Sequence, residues 1–237
     1  MRLLAIGDIH GCLTALEKLL EIMQPRPDDQ LIFLGDYVDR GPNSMGVIDR
    51  ILALQKTYNL ITLRGNHDQM MLDARGGGDP EKRWLHYGGR ETLASYAVLG
   101  DAGKLVDVPD HHWQFLESTR IFPYETDKHF FVHANVIAHL ALDGQSELIV
   151  MWERLAESEP HVSGKIMVCG HTAQKSGVPL NLGHAICIDT HVYGDGWLTG
   201  LDVGTGQVRQ ANERGETRLF QLDEPPTEPA ADAEQPA

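Results

Sequence analysis

An α/β fold is predicted for this 237-residue chain, and two observations carry that expectation. Apolar runs recur at Leu3-Leu4-Ala5-Ile6, Leu31-Ile32-Phe33-Leu34 and Leu60-Ile61-Thr62-Leu63, with helix-patterned segments between them. Roughly thirty residues separate Asp8, Asp36 and Asn66, which is the length of a βαβ unit. Strands joined by such crossovers run parallel, so their carboxyl ends share one edge. Open α/β sheets bind ligands at that edge.

The first helix is expected over Leu13 to Met23. Thr14 and Glu17 have capping-box spacing, and Leu16, Leu19, Leu20 and Met23 fall on one face. A second helix starts at Asn43 or Ser44 and turns Val47, Ile48, Ile51 and Leu52 inward. Residues 69–118 read as a helical insertion, either a cap over the site or a plain addition, broken at Gly76-Gly77-Gly78 and Gly88-Gly89. Strands resume at His129 to His133, Ile166 to Cys169 and Ala185 to Ile188. The chain then ends in antiparallel strands, with a hairpin turning at Gly204-Thr205-Gly206 and a last strand at Thr217 to Leu222. One domain over residues 1–222 is expected, followed by a disordered acidic Pro/Ala tail over 223–237.

The formal charge of −14 points away from nucleic acid, because backbone phosphates are bound by Lys and Arg. No apolar run approaches the roughly 20 residues that cross a bilayer, so no membrane partner is expected. A strand beginning right after Met1-Arg2 leaves no signal peptide. Three unclustered cysteines, Cys12, Cys169 and Cys187, fit a reducing cytoplasm better than a disulfide framework.

Each early strand ends in a ligand-rich turn: Gly7-Asp8-Ile9-His10-Gly11, Gly35-Asp36-Tyr37-Val38-Asp39-Arg40-Gly41 and Gly65-Asn66-His67-Asp68. Burying charges beside apolar strands is costly unless something pairs with them. His133-Ala134 and Gly170-His171-Thr172 follow later strands in the same way. The candidate metal ligands are Asp8, His10, Asp36, Asn66, His133 and His171, all oxygen or imidazole donors. That mix suits Mn, Fe or Zn and disfavours a cysteine-based zinc site. One open site needs fewer ligands; two ions sharing a carboxylate would use all six.

These motifs, in this order from residue 7 to 172, resemble those of the calcineurin-like metallophosphoesterases. Within them the chain is most similar to the phosphoprotein phosphatase branch, especially small bacterial and phage serine/threonine phosphatases. The stretch from Ile188-Asp189-Thr190 through Leu198-Thr199 also looks family-like. The resemblance implies a sandwich of two mixed β-sheets flanked by helices, with two divalent ions, most often Mn2+, at one rim. It implies that Asp8 and His10 hold the first ion, Asp36 bridges, and Asn66, His133 and His171 hold the second. It implies that His67 is the acid beside the leaving oxygen, that Asp39 orients it, and that Arg40 binds phosphate. Trp152-Glu153-Arg154 stands where relatives carry a second phosphate-binding arginine, which makes Arg154 the candidate. The implied reaction is direct attack of a bridging hydroxide on a phosphomonoester of a serine/threonine or tyrosine phosphoprotein, or of a small phosphomonoester. No regulatory-subunit docking element is identifiable.

Two rivals stand beside this reading. Symmetrical diadenosine-polyphosphate hydrolases resemble the chain but usually carry Gln where His10 stands and lack the Asp39-Arg40 form. A non-catalytic phosphopeptide-binding module would be expected to have lost Asp36 or His67. The fourth motif departs from many relatives by placing Asn135 third, where they carry glycine. Blander roles are expected elsewhere: Asp68 structural, Cys12 a buried thiol, and His86, His111, His112, His129, His139, His161 and His184 solvent-facing or satisfied locally. A structural role is favoured for His191, and a core role for Trp84 and Tyr87.

Overall fold

The computed structural model describes residues 1–97, 103–156, 158–224 and 226. Its first half is three strand–helix units: β1 (Leu3–Ile6), α1 (Leu13–Met23), β2 (Gln30–Phe33), α2 (Ser44–Leu54), β3 (Asn59–Thr62) and α3 (Asn66–Ala74). The insertion continues through α4 (Asp79–Trp84), α5 (Arg90–Ser95) and α6 (Asp110–Ser118). The second half holds β4 (Tyr124–Glu125), β5 (His129–Phe131), α7 (Glu147–Trp152), β6 (Ile166–Cys169), β7 (Leu180–Asn181), β8 (Ala185–Cys187) and β9 (Asp189–Thr190). It closes with β10 (Trp197–Asp202), β11 (Gln207–Ala211) and β12 (Thr217–Gln221).

Among the described residues, one sheet has the order β12-β11-β10-β1-β2-β3, with β9 also paired to β10. Here β1, β2 and β3 run parallel, while β10 joins β1 antiparallel. The other sheet has the order β4-β5-β6-β8-β7, with β5, β6 and β8 parallel. The expected sandwich of two mixed sheets is therefore present. Ala5, Ile32 and Leu34 from one sheet pack against Phe131, Val168 and Ile186 from the other. Helices α1, α2, α3 and α6 cover the outer face of the first sheet, and α7 covers the second. Leu16 and Leu19 of α1 are fully buried, each stabilising by roughly 1.5–3 kcal/mol. No helix among the described residues is long and apolar enough to cross a membrane.

The residues predicted to form α1 do so, but the Thr14–Glu17 capping box does not. Cys12 is the N-cap and offers no side-chain bond. Instead Glu213, from the β11–β12 turn, accepts the Ala15 N–H at 3.0 Å, and Glu17 pairs with Arg50. A carboxylate distant in sequence thus takes the place of the local cap. Helix α2 starts at Ser44, within the expected pair, and Asn43 caps it by accepting the Gly46 N–H at 2.9 Å. Of the expected tail, Asp223 accepts a bond from Asn181 at 2.7 Å, and Glu224 donates its backbone N–H to Gln221 at 2.9 Å. Residues 225 and 227–237 lie outside the described residues.

Candidate active site

The ends of β1, β2, β3, β5 and β6 meet at one rim, and the loops that follow them are tied together by backbone bonds. Ile9 and His10 both donate their N–H groups to the Asp36 carbonyl, and Gly170 N donates to the His133 carbonyl. Asp68 fixes the second and third loops, accepting N–H bonds from Asp36, Tyr37 and Gly65 at 2.8–2.9 Å. That is the structural role expected of it. Positive φ marks the same loops. Of the seven non-glycine residues in that region among the described residues, six are His10, Asp36, Asp39, Arg40, His171 and His191. Strained backbone of this kind persists only where surrounding contacts over-determine it.

Four of the six expected ligands, His10, Asp36, His133 and His171, gather in two clusters; Asp8 is in neither, and the first takes in His67 instead. His10, Asp36 and His67 form one cluster of potential metal-binding atoms, and Asp36, His133 and His171 form another, with Asp36 common to both. Asn66 Oδ1 lies 3.0 Å from His133 Nε2 and 2.8 Å from His171 Nδ1. The ring tautomers follow from the other nitrogens. His10 Nδ1 donates to Val38 O, His133 Nδ1 to Leu34 O, and His171 Nε2 to Trp152 O. His133 Nε2, His171 Nδ1 and Asn66 Oδ1 are then acceptors facing one another with no hydrogen between them. Asp8 Oδ1 is buried and has no hydrogen-bond partner. A divalent cation fits both observations, and a backbone acceptor orienting each ring is the usual arrangement behind a metal-binding histidine.

Electrostatics agree with that donor set. Burial pushes His10 and His133 below the ordinary imidazole value, and burial with nearby His133 takes His171 down to about 4. Each shift favours the neutral ring, the form that binds metal. Burial alone would raise the Asp36 carboxyl, but His133, His67, His10 and His171 hold it well below the carboxylate range. Asp8 goes the other way, raised by burial and then by Asp189 and Asp36. Gly170 is constrained by this carboxylate, since a Cβ there would collide with Asp8 Oδ1.

His67 Nδ1 bonds Asp39 Oδ2 at 2.7 Å, which leaves Nε2 as its remaining ring nitrogen. Asp39 is itself held from the insertion. Trp84 Nε1 and Thr92 Oγ1 each donate to Asp39 Oδ1 at 2.8 Å. Burial raises the Asp39 carboxyl, while His67, Thr92 and Trp84 oppose the rise. The Gly88 carbonyl accepts the Arg40 N–H at 3.2 Å. Gly88 has φ 121° and no space for a Cβ against Arg40 and Asp39, so only glycine lets the insertion dock this closely.

A cleft of about 690 Å³ opens over these residues, lined by Arg40, Arg83, Arg154 and Lys175 among others. Arg40 stacks 4.3 Å from the Tyr193 ring centroid and donates to His10 Nε2 at 2.9 Å. Arg154 sits on a segment tied to two motifs. Asn135 Nδ2 donates to the Arg154 carbonyl, and Leu155 N donates to Thr172 Oγ1. Asn135, the departure in the fourth motif, thus anchors the arginine segment.

Some residues differ from expectation. His191 and Tyr87 line the cleft. His191 is lifted there by its positive φ and stacks on Tyr193, and Tyr87 is 51% exposed. Trp84 is fully buried, as expected, yet it also bonds Asp39. Thr92, Tyr193 and Asp189 were not anticipated as site residues; burial takes the Asp189 carboxyl up to about 6. His111 and His112 gather with Asp49 away from the cleft, and His112 joins α6 to α2 by bonding Asp49 and Tyr96.

The family model described as calcineurin-like phosphoesterase matches residues 1–175. Serine/threonine-protein phosphatase 1 of Salmonella typhimurium is 44% identical over 101 residues, 41% of this chain and 44% of that protein. The symmetrical bis(5'-nucleosyl)-tetraphosphatase of a Janthinobacterium species is 35% identical over 134 residues, 56% of this chain and 43% of that protein. The chain therefore spans less than half the length of either relative. Among solved structures, the cold-active protein-tyrosine phosphatase of a psychrophilic Shewanella has a TM-score of 0.63 at 19% identity, covering 93% of this chain and 80% of that one. At that identity the likeness is one of fold.

Proposed function

Because the chain belongs to the calcineurin-like phosphoesterase family, we propose that it is a metal-dependent phosphomonoester hydrolase acting on serine/threonine phosphoproteins, with phosphotyrosine also accepted. The observation that carries this reading is His67, bonded through Nδ1 to buried Asp39 and placed in a cleft beside converging metal-type donors. Asp8, His10 and Asp36 would hold one divalent ion, and Asp36, Asn66, His133 and His171 the other. Manganese suits these oxygen and imidazole donors, as do iron and zinc. When bound, such a pair supplies a water activated at neutral pH and positive charge for the phosphoryl oxygens.

The remaining steps fall to the chain's own side chains. His67 Nε2 gives its proton to the departing alkoxide. Asp39 holds Nδ1 and stabilises the charged ring, a role its buried acceptor position supports. Arg40 and Arg154 present guanidinium forks to the phosphoryl oxygens. Positioned charge of this kind is the main source of rate in phosphoryl transfer.

A second reading, hydrolysis of dinucleoside polyphosphates, is favoured by the Janthinobacterium relative. His10 and the Asp39–Arg40 pair support the phosphatase instead. Retention of both Asp36 and His67 weighs against a non-catalytic binding module. The test is release of inorganic phosphate from phosphopeptides and from diadenosine tetraphosphate at matched concentration, with Mn2+ and then with EDTA. EDTA-sensitive release from phosphopeptide in preference to the dinucleotide supports the first reading. Preference for the dinucleotide supports the second.

A further inference from the structure

The cleft is basic within an acidic protein. Arg40, Arg83, Arg154 and Lys175 line it, and Asp36 is the one carboxylate in that lining, in a chain of formal charge −14. Several basic residues elsewhere are paired: Arg2 with Asp29, Arg50 with Glu17, Arg75 with Glu117 and Lys165 with Glu125. None of the four cleft cations has an acidic partner within 4.0 Å among the described residues. Unpaired cations gathered in a concave site focus positive potential on whatever enters it.

Two of the four are accounted for by the phosphoryl group being cleaved, namely Arg40 and Arg154. Arg83 and Lys175 are surplus to that reaction, and they come from different parts of the chain. Arg83 precedes Trp84 on α4, and the Trp84 indole is bonded to Asp39. The helix that carries Arg83 is therefore fixed against the carboxylate that orients His67. Lys175 follows His171 by four residues, in a loop held where Gln174 N donates to the Asp189 carbonyl. Both side chains are exposed at the rim and available to a ligand.

We propose that Arg83 and Lys175 form a second anion subsite, selecting substrates that carry another phosphoryl or carboxylate group beside the phosphoester cleaved. The inference rests on the hydrolase reading for its reaction, and it adds that selectivity lies in charge next to the scissile phosphate. A flanking Asp, Glu or phosphoserine of a phosphopeptide supplies such a group, and so does the remaining phosphate chain of a dinucleoside polyphosphate. Arg83 offers a planar fork to either oxyanion, and Lys175 a point charge.

The experiment uses the full chain with Mn2+ and three probes: a phosphoserine peptide with Asp/Glu flanks, the same peptide with Lys flanks, and diadenosine tetraphosphate. Wild type is expected to favour acidic over basic flanks by about tenfold or more in kcat/KM, mostly through KM. In an Arg83→Ala/Lys175→Ala variant that ratio should collapse toward one. Arg83→Glu should invert it, and Arg83→Lys should restore most of it. A KM rise confined to the peptide, or confined to the tetraphosphate, supports the subsite and names its source. Equal handling of both flanks by wild type, together with unchanged KM for the tetraphosphate in the double variant, overturns it. Fluorescence anisotropy of the acidic peptide separates this failure from failure of the hydrolase reading. Without any turnover, the acidic peptide or the tetraphosphate should still bind about fivefold more weakly to the double variant, and equal binding of both overturns the subsite.

Discussion

Trp84 and Asp39 are joined by an indole N–H···carboxylate bond of 2.8 Å, both side chains fully buried. Through that bond the helical insertion holds the carboxylate that holds His67. The insertion is therefore part of the site's support as well as its wall. A buried charged acceptor that loses a donor costs about 1–3 kcal/mol, so the bond has consequences for both stability and turnover.

Trp84→Phe keeps much of the apolar volume and removes the donor. Turnover is expected to fall about tenfold, with a larger loss on alkyl phosphates than on p-nitrophenyl phosphate, because the proton is needed most by a poor leaving group. Steady-state rates on the two substrates check this. Equal losses would mean that Trp84 serves packing alone.

His67→Asn removes the proton donor itself. Loss on a phosphoserine peptide is expected at about 10²–10⁴-fold, and distinctly less on p-nitrophenyl phosphate. Bound metal, counted by elemental analysis, should not change, because His67 is not assigned as a ligand. A matching loss on both substrates, or loss of metal, contradicts the acid role.

Gly170→Ala places a methyl group against Asp8 Oδ1. Affinity for the ion assigned to Asp8 and His10 is expected to drop about 10–100-fold, while the apolar core between the sheets is untouched. Dialysed protein should then carry fewer ions per chain than wild type at equal free Mn2+. Unchanged stoichiometry and affinity would show that Asp8 Oδ1 takes no part in binding.

How much of this was visible beforehand differs by level. The parallel strands and α1 follow from local pattern: Leu16, Leu19, Leu20 and Met23 form a buried stripe, as their spacing requires. The rim is legible because each ligand stands directly after an apolar strand, so parallel pairing brings the ligands together. Contacts between distant segments were not legible. Glu213 capping α1, Asn135 anchoring the Arg154 segment and Trp84 reaching Asp39 depend on loops whose paths no periodicity records. The same limit explains Tyr193, which reaches His10 and Arg40 from a turn after β9.

Away from the cleft, acid stability should depend on Asp29. Burial alone would raise this carboxyl, but the Arg2 side chain and the backbone N–H groups of Arg26 and Arg2 outweigh it and hold the group at about 2, against its usual 3.8. With the folded value depressed, the stabilisation is complete well above the unfolded value and fades as pH falls through about 4 toward 2. Asp29→Asn is expected to cost about 2 kcal/mol near pH 7, with the gap to wild type narrowing below about pH 4. Urea midpoints across that range measure it. A gap independent of pH would assign the loss to packing.

Anomalous diffraction from crystals grown with Mn2+ tests the central claim most directly. Two peaks about 3.5–4 Å apart are expected, one beside Asp8 and His10, the other beside Asn66, His133 and His171, with Asp36 touching both. A map without peaks among these side chains, or with a single ion that leaves Asp36 unshared, would contradict it.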